Sequence, residues 1–163
     1  MRQTSSRVIV ATLSTLLVVG APQSARAVTH DGGSFDDGAQ RSVDTETCAA
    51  YGFDLDVIEH EFGMFSFTFD GEGNFLRGSA HVRYDAWISA NGNTLIERDV
   101  WNATFQSDGS KSVRGLTVHI AGPGGGIVQH DAGRLVYDQD GNLVRVDGPH
   151  PQLNGESFCP ALI

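Results

Sequence analysis

Polar side chains alternate with small and apolar ones in the stretch RGSAHVRYDAW, residues 77–87. Successive side chains of a β-strand point to opposite faces of its sheet, so His81, Arg83 and Asp85 would lie together on one face. An imidazole, a guanidinium and a carboxylate in one patch could bind an anionic group or hold a histidine that transfers protons. The stretch is therefore a candidate ligand site, provided that neighbouring strands extend the same face.

The Asn91-Gly92 turn supplies the first neighbouring strand. A two-residue hairpin loop fixes the register of the strands on either side of it. With the loop at this dipeptide, Asp85 lies opposite Arg98. The same register places His81 opposite Asn102.

The Asp108-Gly109 turn predicts a second hairpin of the same kind, which places His119 opposite Arg98. The two registers together define six candidate ligand-binding residues: His81, Arg83, Asp85, Arg98, Asn102 and His119. Trp87 and Ile96 fall on the same face and favour a ligand with an apolar part. The alternative is an ordinary hydrated face, because antiparallel sheets commonly leave one face in water.

Other motifs with a chemical use are incomplete. The GPGGG loop, residues 122–126, lacks the Lys-Ser/Thr pair of a phosphate-binding loop, and the sequence has no Gly-x-Ser-x-Gly motif. The six histidines show no ligand spacing, so the sequence predicts neither a metal site nor a cofactor. No catalytic residue can be assigned, and the sequence leaves open whether the protein is an enzyme.

The opposite face of the same strands is mostly apolar and predicts the core. Its predicted members are Leu76, Ala80, Val82, Tyr84, Ile88, Leu95, Trp101, Phe105, Leu116, Val118 and Ile120. Glu97 and Asp99 fall on this face as well and do not fit an apolar core. Alternating stretches between turns continue to the C-terminus without a helical period. The predicted fold class is all-β, an antiparallel meander of about seven or eight strands forming a barrel or a two-sheet sandwich, with a calycin-like barrel favoured.

The N-terminus has the three parts of a secretory signal peptide. Two arginines precede a 13-residue apolar run, and residues 25–27 match an A-x-A cleavage site. We predict cleavage after Ala27, a flexible acidic leader at residues 28–47 and a single β domain at residues 48–163. The protein is expected to be secreted, outside the cell or in its envelope, with no membrane anchor after cleavage.

Cys48 and Cys159 both lie in the mature chain and bracket nearly all of its apolar sequence. Because disulfides persist in exported proteins, we predict a bridge between them. Residues 1–27 contain three arginines and no acids, so their removal changes the formal charge from -9 to -12. An acidic chain without a basic patch is not expected to bind nucleic acid or anionic lipid. We predict a monomer.

The C-terminal segment DAGRLVYDQDGNLVRVDGPHPQLNGESFCPAL resembles the end of small secreted proteins of actinobacteria. These proteins end in a similar hairpin and tail, matched here by Gly148, His150, Leu153, Gly155, Phe158 and Cys159. The signal peptide, the early cysteine and the PGGG sequence before the hairpin are also similar, so the resemblance covers most of residues 48–163. That family has no assigned activity, and the resemblance therefore implies no catalytic residue.

These observations favour a binding or protective module for a small amphipathic ligand. One alternative is a small-barrel enzyme of the cyclase or isomerase kind, in which His119 or His81 transfers a proton; this alternative rests on fold analogy. A further alternative is a structural protein of the cell envelope. The first two require a pocket, and the third requires none.

Overall fold

A computed structural model describes residues 27–163. The body of the predicted signal peptide, residues 1–26, lies outside this range. The described chain is one antiparallel sheet with three short 3-10 turns, at Ala49–Tyr51, Pro151–Asn154 and Cys159–Leu162. The strands are β1 (Thr29–Asp36), β2 (Gln40–Asp44), β3 (Leu55–Phe69), β4 (Phe75–Ala90), β5 (Asn93–Gln106), β6 (Lys111–Ala121), β7 (Ile127–Tyr137) and β8 (Leu143–Asp147).

The prediction of an all-β meander is confirmed. From β3 to β8 every strand pairs with the next one along the chain, and all the ladders are antiparallel. Within residues 27–163 no ladder joins β8 to β1 or β2, so backbone hydrogen bonds do not close the sheet into a barrel. The sheet is therefore open at both edges, which are formed by β1 and β2 on one side and by β8 on the other.

The prediction of a flexible leader at residues 28–47 is wrong. β1 and β2 both pair with β3, from Thr29 opposite Phe69 at one end to Asp44 opposite Leu55 at the other. β3 has 15 residues, and its outer edge offers free N–H and C=O groups that the leader satisfies. The side chains of the leader are mostly exposed, which is why its composition resembled that of a loop.

The register predicted from Asn91-Gly92 is confirmed along the whole hairpin. Asn91 and Gly92 have positive φ angles of 51° and 82°, as a type I′ turn requires. Asp85 lies opposite Arg98, and His81 lies opposite Asn102.

The register predicted from Asp108-Gly109 is wrong by one residue near the turn. The loop has three residues, since the N–H of Gln106 bonds to the C=O of Ser110 and Gly109 has a φ of 86°. Trp101 therefore lies opposite Gly115 instead of Leu116. An extra residue in β6 then restores the predicted register at Glu97, which lies opposite Ile120.

The two faces of the sheet differ in what covers them. We call the face that the C-terminal tail covers the inner face, and the opposite one the outer face. The tail crosses the inner face and ends in a Cys48–Cys159 disulfide, which confirms the predicted bridge. The buried core lies beneath the tail and consists of Cys48, Leu55, Ala86, Ile88, Leu95, Ile120, Cys159 and Leu162. Two residues of the predicted core lie elsewhere: Leu76 is exposed, and Leu116 pairs with outer-face Val100.

Gly133→Ala is expected to destabilise the fold by more than about 2 kcal/mol, because Gly133 has a φ of 143° and a Cβ there would lie 1.9 Å from the carbonyl oxygen of Asp147. Chemical denaturation measures the loss. Gly124→Ala is the matched control, since Gly124 also has a positive φ but has nothing within 4 Å of the added carbon. Equal losses in the two variants would contradict the steric account.

Candidate functional site

The six predicted site residues all lie on strands β4 to β6, but they do not form one cluster. His81 Nδ1 and Asn102 Oδ1 are 3.0 Å apart, as their register requires. Arg98 lies opposite Asp85 in the ladder, yet Arg98 forms no ion pair within residues 27–163. Its exposed guanidinium is therefore available to an anionic group.

An open groove of about 580 Å³ lies on the outer face around Arg98 and His119. Trp87 and Ile96 form its apolar wall and are 44% and 37% exposed, respectively. The loop at residues 122–125, which follows β6, forms the opposite rim together with Ala121 at the end of that strand. The groove thus combines an indole, an aliphatic side chain, a guanidinium and an imidazole, the mixture that an amphipathic ligand needs.

The remaining predicted residues lie outside this groove. His81, Arg83, Asp85 and Asn102 do not line it, and Arg83 and Asn102 are exposed to solvent. The structure therefore divides the predicted patch into a groove that contains Arg98 and His119 and a more hydrated surface farther along the strands.

His119 is held in the groove by contacts from two sides. Its ring Nδ1 lies 3.2 Å from Nδ1 of His130, so one of the two imidazoles must donate a hydrogen to the other. Its backbone N–H donates to the carboxylate of Asp99 at 2.7 Å. Asp99 is buried on the inner face, so its carboxylate stabilises the bulged segment of β6 that presents His119 to the outer face.

A band of carboxyl groups crosses the inner face next to the core. Glu97 and Asp99, which did not fit the predicted apolar core, are joined by a side-chain hydrogen bond. Burial raises the pKa of Glu97, and together with the negative charge of Asp99 it brings the pKa to about 8. Burial also raises the pKa of Asp99, to about 6. At neutral pH a proton on Glu97 can thus be donated to the carboxylate of Asp99.

Other polar groups extend this band on both sides. The hydroxyl of Tyr84 donates to Glu59 Oε2 at 2.8 Å. Under the tail, Nδ1 of His150 is 3.9 Å from the carboxylate of Asp131, and both side chains are buried. The sequence placed Glu97 and Asp99 on this face. Two acidic residues among predicted core positions were therefore the feature of the sequence that indicated the carboxyl band.

No group of three or more histidine, cysteine or acidic residues within residues 27–163 has a geometry that could hold a metal ion. In the same range, no helix is long and apolar enough to span a bilayer. The disulfide is consistent with an extracellular location.

Comparison of the chain with protein-family models, with curated proteins and with solved structures gave no match.

Proposed function

We propose that the protein is an exported binding module that holds a small amphipathic ligand with an anionic group in the outer-face groove. One observation carries the proposal: Arg98, which is free of an ion pair among the described residues, lies in a groove with exposed Trp87 and Ile96. The guanidinium would bind the anionic group, and the apolar wall would contact the rest of the ligand.

Export is supported by the predicted signal peptide and by the disulfide. The groove is open to solvent, so a ligand could enter it without a rearrangement of the strands. The net negative charge of the chain would repel anions at long range. Selectivity would therefore depend on short-range contacts with Arg98, and added salt would screen both the long-range repulsion and the contact with Arg98.

The proposal is tested with octanoate as the probe and Trp87 as the reporter. The chain has two tryptophans, one on each face, so Trp101→Phe leaves Trp87 as the single tryptophan, which is excited selectively at wavelengths where tyrosine does not absorb. Octanoate should quench or shift the emission of Trp87 in a saturable way. Arg98→Gln should weaken octanoate binding about tenfold, because one charge-assisted contact is lost.

Arg83→Gln is the matched control, since Arg83 lies on the same face but outside the groove. Its affinity for octanoate should equal that of the parent protein. The proposal is wrong if octanoate leaves Trp87 unperturbed, or if Arg98→Gln and Arg83→Gln have the same effect.

A further inference from the structure

Part of the inner face has no cover within residues 27–163. The tail contacts the sheet through two 3-10 turns, Pro151–Asn154 against β7 and Cys159–Leu162 against β5. Beyond the carboxyl band, the same face carries six aromatic side chains, which we call the aromatic surface. It consists of Phe65, Phe67, Phe69, Phe75, Trp101 and Phe105.

The aromatic surface is ordered by ring contacts across three strands. The ring of Phe67 lies 6.0 Å from that of Phe75 and 6.3 Å from that of Phe105, both in edge-on geometry. Gly78 makes this approach possible, because a Cβ at that position would lie 2.3 Å from the ring of Phe67. The aromatic side chains are half-buried, and they offer a broad apolar wall to a bound molecule.

The carboxyl band borders this wall directly. Tyr84 lies opposite Asp99 in the β4–β5 ladder, and two residues farther along Val82 lies opposite Trp101. Glu97 and Asp131 contribute to the acidic surroundings of Asp99, and the charge of Glu59 acts on Glu97. The one lysine of the sequence, Lys111, stacks on Tyr137 at the far end of the sheet.

Two buried polar side chains beside the carboxyl band each have one atom without a hydrogen-bond partner in the described part of the chain. These atoms are Oε1 of Gln129 and Nε2 of His150. Carboxylates that share a single proton are costly to bury without a cation. A ligand with N–H donors and a positive charge would donate hydrogen bonds to the carboxylates of the band and balance their negative charge.

We propose that the inner face is a second ligand site, which takes an organic amine with an apolar body. The ammonium group would lie between Glu97 and Asp99, with the apolar body on Trp101 and the neighbouring phenylalanines. Charge complementarity decides between occupants: the acidic border excludes anionic amphiphiles, and the carboxyl groups lack the geometry of a metal site. This site is distinct from the outer-face groove, since side chains of Trp87 and Trp101 lie on opposite faces of the sheet.

The site can be tested in the full mature chain with octylammonium, octanol and octanoate, which share a tail and differ in charge. In a Trp87→Phe variant, Trp101 is the single tryptophan and can be excited selectively. All three probes are used below their micelle concentrations. Octylammonium should perturb Trp101 in a saturable way and bind at least tenfold more tightly than octanol, and octanoate should bind most weakly.

The combined change Glu97→Gln and Asp99→Asn removes the charges and keeps the size and polarity of both side chains. It should abolish the preference for octylammonium over octanol while octanol affinity stays the same. Equal binding of the three probes, or an unchanged preference in this variant, overturns the proposal. Glu59→Gln provides the second test if the double variant does not fold, and it should reduce the preference at least threefold.

The pH dependence gives an independent readout. Octylammonium binding favours ionised carboxyls, so its affinity should rise between pH 6 and pH 9 as Glu97 loses its proton. The groups that face Glu97 and affect this step are Asp99, Glu59 and Tyr84, together with the octylammonium itself. A flat profile contradicts the proposal. Because this site is read through Trp101 and the groove through Trp87, one can fail without the other.

Discussion

Serine in place of both Cys48 and Cys159 is expected to lower the free energy of unfolding by about 4 to 5 kcal/mol. The two cysteines are 111 positions apart, so the bridge removes much of the conformational freedom of the unfolded chain. It also holds the tail on the core, where Cys159 and Leu162 are fully buried. Without the bridge the tail is attached at its end only by contacts such as the 3.2 Å hydrogen bond from Asn91 Nδ2 to the carbonyl of Leu162.

Denaturant unfolding of the oxidised protein and of the serine variant measures this loss. The oxidised protein treated with reductant should unfold at the same denaturant concentration as the variant. The outer-face groove lies on the other side of the sheet, so octanoate should still perturb Trp87 in whatever fraction of the variant is folded. A loss below about 1 kcal/mol would show that the tail is held by packing alone.

Glu97→Gln is expected to stabilise the protein at alkaline pH by roughly 2 to 4 kcal/mol. The pKa of Glu97 is raised from an ordinary value of 4.5 to about 8 because its carboxyl group is buried beside Asp99. The folded state therefore holds a proton that the unfolded state releases. The stability is complete below about pH 4.5 and is lost as the pH rises through 8. Glutamine keeps a hydrogen-bond donor toward Asp99 at every pH. The free energy of unfolding of the variant should therefore not fall as the pH rises through 8.

The measurement is the free energy of unfolding of both proteins at intervals from pH 5 to pH 9. The two curves should be closest at the acid end, separate steadily as the pH rises, and stop separating above about pH 8. Glu72→Gln, at an exposed position in the β3–β4 turn, is the control and should follow the wild-type curve. A wild-type curve that rises from pH 6 to pH 9 would contradict the assigned direction of the shift.

The hairpin chemistry explains how much of the sheet could be predicted from the sequence. Asn91-Gly92 has one low-energy loop geometry, so it fixed all of the pairs between β4 and β5. Asp-Gly at 108–109 is compatible with loops of two or three residues, and the three-residue loop shifts the register by one. The compensating bulge in β6 has no marker in the sequence, because it depends on how Asp99 bonds to the N–H of His119.

The sequence predicted the face on which each residue of the candidate site lies, but it did not predict which of these residues line the groove. The sequence brought Arg98 and His119 together on one face with Trp87. It could not show that the 122–125 loop forms the other rim, because the direction of that loop depends on three-dimensional packing. It also placed Glu97 and Asp99 on the inner face. Their burial depends on the tail and on neighbouring strands, which lie far away in sequence.

The order of the strands in the sheet has a consequence for how the chain folds. From β3 onward each strand finds its partner in the preceding segment, so hairpins can form one after another as local units, and topologies with local contacts fold quickly. Asp70 and Asp138 assist, because each carboxylate accepts backbone hydrogen bonds inside its own turn. The tail and its cysteine follow all eight strands in the sequence, so they are synthesised after the sheet. The sheet can therefore assemble before the disulfide forms. Oxidation of Cys48 and Cys159 then completes folding instead of starting it.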